Sequence, residues 1–336
     1  MQIRTDNEKK SAGSSNPRNT ENQVTPKIVI SSENTANQAG TEIDTNSDII
    51  DNQSIPESNI SLASSSNNAD SSDYYFIDTH AHLDMLKQMT PDFAVSESAR
   101  QLVRYIINIS SDLPGSVKSS QYAFQFENVF ASVGVHPHDA QDFNSSTIKE
   151  LESLVMQNKK IVAIGETGFD YFRNLSPKEA QKKAFISQIE LALQYRLPLV
   201  VHDRDAHQDT LGILKHFSDN GNNKDLRAVI HCFSGDRRFA LECLEMGFFI
   251  SFTGVITFPN ARELVNTVRE VPLDRIFVET DAPFLAPQEK RGQENYPGFV
   301  KYIAQKIAEI KQLPLEVVAR ATSKNAEEFF NFFNNK

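Results

Sequence analysis

Short apolar runs alternate with longer amphipathic stretches from Tyr74 to the end of the chain. The runs are rich in β-branched and aromatic residues, and the stretches between them are long enough for helices. Parallel strands need crossover connections of this kind, so the pattern predicts strands that alternate with helices. The predicted strands are residues 74–80, 104–109, 128–135, 161–166, 197–202, 227–233, 248–255 and 275–281.

Eight strand–helix units in about 250 residues predict an α/β fold of the (β/α)₈ TIM-barrel type. An open, doubly wound sheet is the alternative, but it usually has fewer strands and a glycine-rich phosphate turn after the first one. The segment "DTHAHL" (78–83) is not such a turn. Between the fourth and fifth strands, Ser176 and Pro177 predict a helix start, and Glu179 lies at capping-box spacing from Ser176.

Residues 1–73 differ from the rest of the chain. They contain no Phe, Tyr or Trp and carry 5 Lys and Arg against 11 Asp and Glu. Burying the few apolar side chains of this segment would not offset the entropy that is lost when its backbone is ordered. We therefore predict a disordered, acidic tail, residues 1–73, followed by one barrel domain, residues 74–336. With a net charge of −10, of which −4 falls on the barrel, the chain does not hold nucleic acid or an anionic membrane by charge alone.

The chain shows no signal for export or membrane insertion. Its first residues, "MQIRTDNEKK", lead into more polar sequence instead of an apolar segment. No run approaches the roughly 18 apolar residues of a membrane span. The two cysteines, Cys232 and Cys243, do not make a disulfide framework. We therefore expect a cytoplasmic protein with no membrane partner, and a monomer.

Potential metal ligands fall at the ends of the predicted strands. They comprise four histidines and two carboxylates: His80, His82, Glu166, His202, His231 and Asp281. In a barrel the carboxyl ends of the strands surround one mouth, so these side chains are predicted to converge there. Burying several histidines without partners is unfavourable, and a bound metal removes that penalty.

The size of this set indicates two ions instead of one, because a single tetrahedral ion needs only four ligands. His80, His82 and Asp281 are predicted to hold one ion. His202 and His231 are predicted to hold the other, with Glu166 bridging the pair. Imidazole-rich ligation suits Zn²⁺, Mn²⁺, Fe²⁺ or Co²⁺ better than Mg²⁺, which remains a candidate.

Seven motifs in order resemble the TatD family of metal-dependent deoxyribonucleases, within the amidohydrolase superfamily. They are "DTHAHLD" (78–84), "GVHPHD" (134–139), "GETGFDY" (165–171), "HDRDA" (202–206), "HCFSG" (231–235), "ETDAPFLAP" (279–287) and "SKNAEEFF" (323–330). The resemblance implies a TIM barrel, the same six metal ligands, and hydrolysis of DNA ends or of DNA at damaged sites. One departure is Tyr296, which follows Asn295 where the family usually has Glu.

Phosphodiester hydrolysis would use both ions. Two ions about 3.5–4 Å apart lower the pKa of a bound water and stabilise the leaving oxygen. We assign catalytic roles to Glu166, as the bridge, and to Asp281, which accepts the proton of that water and passes it to the leaving group.

Five further residues are predicted to contact substrate: His136, His138, Arg204, Asp170 and Ser234. Arg204 could fork onto a phosphate oxygen, and a structural ion pair is the alternative. His136 and His138 could donate to a phosphate or a base. Asp170 and Ser234 are also residue types that commonly cap helices.

The predicted function is hydrolysis of DNA, as a 3′–5′ exonuclease on single-stranded ends, since the chain lacks the basic stripe of a duplex-binding protein. An alternative is an amidohydrolase that cleaves C–N or ester bonds, such as an aminoacyl-tRNA deacylase. Such enzymes often bridge their metals with a carboxylated Lys where this chain has Glu166. A further alternative is an inactive binding scaffold, which would be expected to have lost ligands.

Overall fold

The computed structural model describes residues 74–219 and 225–333, and the predicted tail, residues 1–73, lies outside them. The described strands form one parallel sheet in the order β1 to β8. They are β1 (Phe76–Ala81), β2 (Val103–Asn108), β3 (Val129–Val133), β4 (Ile161–Asp170), β5 (Leu199–Arg204), β6 (Ala228–Ile230), β7 (Phe249–Phe252) and β8 (Ile276–Val278). The α-helices are α1 (Pro91–Arg100), α2 (Leu113–Gln125), α3 (Ser145–Gln157), α4 (Lys178–Tyr195), α5 (His207–Asp219), α6 (Arg237–Glu245), α7 (Arg262–Glu270), α8 (Val300–Lys311) and α9 (Leu315–Phe330).

The sheet closes where the residues after β8 meet β1. The Thr280 backbone N–H and hydroxyl donate to the Asp78 carboxylate at 2.9 and 2.6 Å. The Asp281 N–H donates to the His80 carbonyl at 2.9 Å, and the His82 N–H donates to the Ala282 carbonyl at 2.7 Å. The predicted (β/α)₈ barrel is confirmed, and the open sheet is excluded. Closure also brings the "DTHAHLD" (78–84) and "ETDAPFLAP" (279–287) motifs together.

Two apolar clusters support the barrel. The larger one lies between the strands and the surrounding helices, and it includes Ile106, Phe185 and Ile250. The smaller one joins residues near the beginnings of the strands to phenylalanines such as Phe330, near the end of α9. The predicted metal ligands lie at the opposite end of the barrel, where the carboxyl ends of the strands are, and this apolar cluster does not cover them. No helix in the described ranges is both long and apolar enough to cross a membrane.

Strand β4 is longer than predicted, since it runs on to Asp170. Ile164 pairs with Leu199 and Thr167 pairs with Val201, so β4 uses one more residue than β5 over this interval. Gly165, with φ 138°, lies within this irregularity. A bulge of this kind breaks the alternation on which the strand prediction rested, because register is decided between strands. Glu166 therefore projects from within β4, and not from its end.

The predicted capping box at α4 is wrong. The helix begins at Lys178, and no side chain caps its start. The Ser176 hydroxyl instead donates to the carbonyl of His138 at 2.6 Å and accepts the Gln141 N–H at 3.0 Å. These bonds satisfy Ser176 within the loop that follows β3, and they fasten that loop to the start of α4.

Candidate metal centre

The carboxylate of Glu166 lies at the centre of the polar cluster, and it is buried. Its Oε1 atom is 2.7 Å from Nε2 of His231 and 2.7 Å from Nδ1 of His202. Nε2 of His136 lies 3.4 Å from the same oxygen. The strands that supply these residues are neighbours in the sheet, from β3 to β6, so the barrel itself aims the side chains at one point.

His80 and His82 occupy the other side of the Glu166 carboxylate. Their Nε2 atoms lie 3.6 and 3.9 Å from Oε2 of Glu166. Asp281 Oδ1 is 3.6 Å from Nε2 of His80 and 3.5 Å from Nε2 of His82. The two Nε2 atoms themselves are only 3.2 Å apart. Two imidazole nitrogens at this distance share at most one proton, so a cation is a better occupant of the space that they border.

Three overlapping groups bring ligand atoms within 4.8 Å of one another: His80, His82 and Glu166; His80, His231 and Asp281; and His136, Glu166 and His202. All six predicted ligands thus belong to one cluster. The donor set, imidazole nitrogens around the buried Glu166 and the partly buried Asp281 carboxylates, has the chemistry that Zn²⁺ and similar divalent ions select. His136, which the sequence placed among substrate contacts, also lies within reach of this group.

The protonation states follow from burial and neighbouring charge. Burial acts to raise the pKa of the Glu166 carboxyl, but the charges of His231 and His136 outweigh it and hold that pKa well below its usual range. Burial would lower the pKa of His231, yet the Glu166 carboxylate raises it well above the usual value. Burial also lowers the pKa of His136 to about 4. Imidazole binds metal only in its neutral form, so an ion that bound here would displace the proton of His231.

His138 and Asp170 form a pair at the edge of the cluster. Nε2 of His138 lies 2.7 Å from Oδ2 of Asp170, and Nε2 of His202 lies 3.4 Å from that same oxygen. The Arg173 N–H donates to the other Asp170 oxygen at 2.7 Å. Burial raises the pKa of Asp170, but these hydrogen bonds dominate and lower it. Asp170 is therefore ionised; it is hydrogen-bonded to His138, and it also caps the turn after β4.

Arg204 and Ser234, the remaining predicted contacts, lie at the rim. Within the described ranges no carboxylate lies at ion-pair distance from Arg204. Its guanidinium carbon instead lies 5.0 Å from the centroid of the Phe172 ring. Ser234 is exposed in the loop after β6. The structural ion pair considered for Arg204 is thus not present among these residues, and the guanidinium is available to a ligand.

Two buried carboxylates outside the predicted set support the cluster. Glu279 accepts the Cys232 N–H at 2.6 Å and lies 3.4 Å from Nδ1 of His231. The sequence indicates this position of Glu279 by its two-residue spacing from Asp281, which puts both side chains on one face of a strand.

Asp78 accepts hydrogen bonds from residues after β8, as described above. The sequence around Asp78 does not reveal that it binds Thr280, because Thr280 lies 202 residues away along the chain.

The model of the family described as TatD-related DNase matches residues 77–331. The chain belongs to this family. The uncharacterized metal-dependent hydrolase YabD of Bacillus subtilis (strain 168) is 38% identical over 254 residues, covering 75% of this chain and 98% of that protein. The 3′-5′ ssDNA/RNA exonuclease TatD of Citrobacter rodentium (strain ICC168) is 32% identical over 244 residues, covering 71% of this chain and 91% of that protein.

Solved structures place this TatD-family protein among similar barrels. The crystal structure of YJJV, a TatD homolog from Escherichia coli K12, superposes with a TM-score of 0.71 at 27% sequence identity. The match covers 76% of this chain and 98% of the other. The shared architecture confirms the predicted family and fold.

Proposed function

We propose that this TatD-family protein is a metal-dependent deoxyribonuclease that removes nucleotides from single-stranded ends in the 3′ to 5′ direction. The observation that carries this proposal is the convergence of imidazoles on the buried Glu166 carboxylate, with Asp281 beside His80 and His82. The name of the Citrobacter relative, a 3′-5′ ssDNA/RNA exonuclease, supports both the bond and the direction.

Two divalent ions are proposed to occupy the cluster. His80, His82 and Asp281 would hold one, His202 and His231 the other, and Glu166 would contact both. His136 is close enough to Glu166 to complete the second set. When bound, such ions lower the pKa of a water and offset charge that develops on the phosphoryl oxygens.

Asp281 is proposed to carry the proton during hydrolysis. Burial acts to raise the pKa of its carboxyl, but a hydrogen bond from His82 and the charge of His80 outweigh that effect and lower the pKa. Asp281 is therefore ionised at neutral pH and can accept a proton from the attacking water. The same carboxyl can then donate that proton to the leaving oxygen.

The residues at the rim are proposed to hold the substrate. Arg204 has a guanidinium with no carboxylate partner among the described residues, so it can donate two parallel N–H groups to a phosphate. His138, oriented by Asp170, can donate to a second phosphoryl oxygen. Few such groups are needed when only a strand end enters the site, which agrees with a net charge of −10 for the whole chain.

The test is cleavage of end-labelled single-stranded DNA by the wild-type protein, with and without a chelator, beside Glu166→Ala. We expect a ladder of shortened products that disappears with chelator and in Glu166→Ala. Glu289→Ala is the matched control, because Glu289 is exposed in the loop after β8 and its loss should leave the rate unchanged. Cleavage that survives both the chelator and Glu166→Ala would refute the proposed mechanism.

A further inference from the structure

Two exposed aromatic side chains lie at the rim of the metal centre. Phe172 follows β4 and is 65% exposed, and Phe284 follows β8 and is 50% exposed. Strands β4 and β8 are four positions apart in an eight-stranded closed sheet, so the two rings lie on opposite sides of the barrel mouth. Large apolar groups exposed beside a polar cluster often mark a binding surface.

Phe284 is held rigidly next to the candidate ligands. Its ring centroid is 6.2 Å from that of His82, with 67° between the ring planes. Its N–H donates to the Asp281 carbonyl at 2.9 Å. The side-chain amide of buried Asn295 donates to the carbonyls of Phe284 and Thr280. Because the backbone is fixed by these bonds, a ligand on the ring does not have to order the loop first.

Phe172 lies beside Arg204, whose guanidinium is over the ring. The Arg204 guanidinium lies 5.0 Å from the ring centroid, and the Tyr171 N–H donates to the Arg204 carbonyl at 2.9 Å, which ties the two segments together. The neighbouring Arg173 N–H is bound by Asp170, whose other oxygen contacts His138. Both an aromatic ring and a guanidinium plane stack well on a nucleic-acid base.

We propose that Phe284 and the Phe172–Arg204 pair are two base-stacking sites, which hold the bases on either side of the phosphodiester that lies at Glu166. The inference rests on the proposed function and adds the groups that recognise the strand. A base lies about one sugar ring away from its phosphate, which agrees with the 6.2 Å between the ring centroids of Phe284 and His82. Stacking needs few positive charges, as this acidic chain requires.

The arrangement also explains why the substrate must be unpaired. In a duplex only the outer face of the terminal pair is free, and every internal base is covered on both faces, so a second ring cannot stack on the next base without melting the end. An unpaired terminal base exposes its faces to the ring. Both DNA and RNA bases have such faces, so the sites act on either kind of strand.

The experiment compares a single-stranded oligonucleotide with the same strand carrying abasic sugars at its terminal positions. In the wild-type protein, loss of the terminal bases should lower kcat/KM by roughly 5- to 100-fold. Phe284→Ala and Phe172→Ala should each lower kcat/KM on the intact strand and lose part of the preference for it over the abasic strand, and the double variant should show little preference. Phe284→Tyr keeps the ring and should retain activity.

Binding supplies a second readout. Fluorescence anisotropy in a Glu166→Ala background should show weaker binding of the intact strand after Phe284→Ala, with no change for the abasic strand. Phe124→Ala is the matched control, because Phe124 is 69% exposed on α2, away from the site. It should change neither measurement.

The outcomes separate the two proposals. If the wild-type protein cleaves neither strand, the nuclease function is wrong and this inference is wrong with it. If it cleaves intact and abasic strands equally well, or if Phe284→Ala and Phe172→Ala match Phe124→Ala, only the stacking sites are refuted. A change from dimer to monomer in Phe284→Ala, without a change in strand binding, would show that a second copy of the chain covers the ring and would also refute them.

Discussion

Oε1 of Glu279 lies 3.4 Å from Nδ1 of His231, while Nε2 of His231 lies 2.7 Å from Glu166. The imidazole is therefore placed between two buried carboxylates, one on each ring nitrogen. A carboxylate behind a metal-binding histidine keeps the proton on the nitrogen that it faces and leaves the other nitrogen free to bind the ion. We therefore expect Glu279 to act as a positioning residue for His231.

Glu279→Gln should weaken metal binding and activity together. The amide replaces a negative acceptor with a neutral group, so it supports the required tautomer of His231 less well, and a loss of about 10- to 100-fold is expected. Calorimetric titration with Zn²⁺ or Mn²⁺ measures the affinity independently of cleavage. Glu289→Gln, on an exposed loop, should behave as wild type. Equal metal affinity in the two variants would show that Glu279 does not position His231.

Asp78→Ala should destabilise the barrel at its closure. Asp78 is fully buried and accepts from the Thr280 N–H and hydroxyl at 2.9 and 2.6 Å, and from the His80 N–H at 3.3 Å. Its removal leaves buried donors unsatisfied, at a penalty of about 3 kcal/mol in the free energy of unfolding. Asp78→Asn retains one oxygen acceptor and should lose less. Urea denaturation measures both, and equal losses in the two variants would contradict this account.

Gly168→Ala should separate β4 from β5. Gly168 has φ 139°, and a Cβ there would lie 2.1 Å from the carbonyl oxygen of His202. A backbone atom cannot move aside cheaply, so we expect a lower melting temperature and a lower metal content. Gly212→Ala is the control, since a Cβ at this exposed position in α5 meets nothing within 4 Å. It should keep stability or raise it by about 1 kcal/mol. Similar melting temperatures for the two variants would count against the clash.

His207 should contribute more to stability at low pH than at high pH. Its ring is hydrogen-bonded to the buried Asp203 carboxylate, and this bond raises the pKa of His207 against the effect of burial. A raised folded-state pKa gives stability that is complete below the unfolded value and is lost as pH rises through the folded value. The melting temperature of His207→Gln should therefore fall further below wild type at about pH 5.5 than at about pH 9.

The stacking of His207 on Phe239, with ring centroids 4.3 Å apart, is lost in the variant at every pH. It therefore sets a constant deficit that does not affect the comparison. A deficit of the same size at both pH values would show that the Asp203 pair adds nothing through charge.

Much of the fold could be predicted because the relevant signals are local. Each strand is a short apolar run, and all eight appear in the structure within a few residues of their predicted bounds. Strand β4 differs most from its prediction, because it extends to Asp170 and contains an irregularity at Gly165. Its extra residue at Gly165 is a matter of pairing with β5, and a pattern of alternating residues cannot reveal an offset between two strands. The N-cap predicted at Ser176 failed for a similar reason, since the Gln141 N–H from a distant loop donates to the hydroxyl oxygen that would have capped the helix.

By itself, the sequence determined the number of strands, the family, and six residues of the cluster around Glu166, because strand order largely fixes which side chains face a barrel mouth. Only the tertiary structure decided that His136 joins the cluster, that Asp78 closes the barrel, that Glu279 backs His231, and that Arg204 lies over Phe172. Each of these relationships joins residues on different strands or loops, and their distances depend on register and loop path, which no short segment encodes.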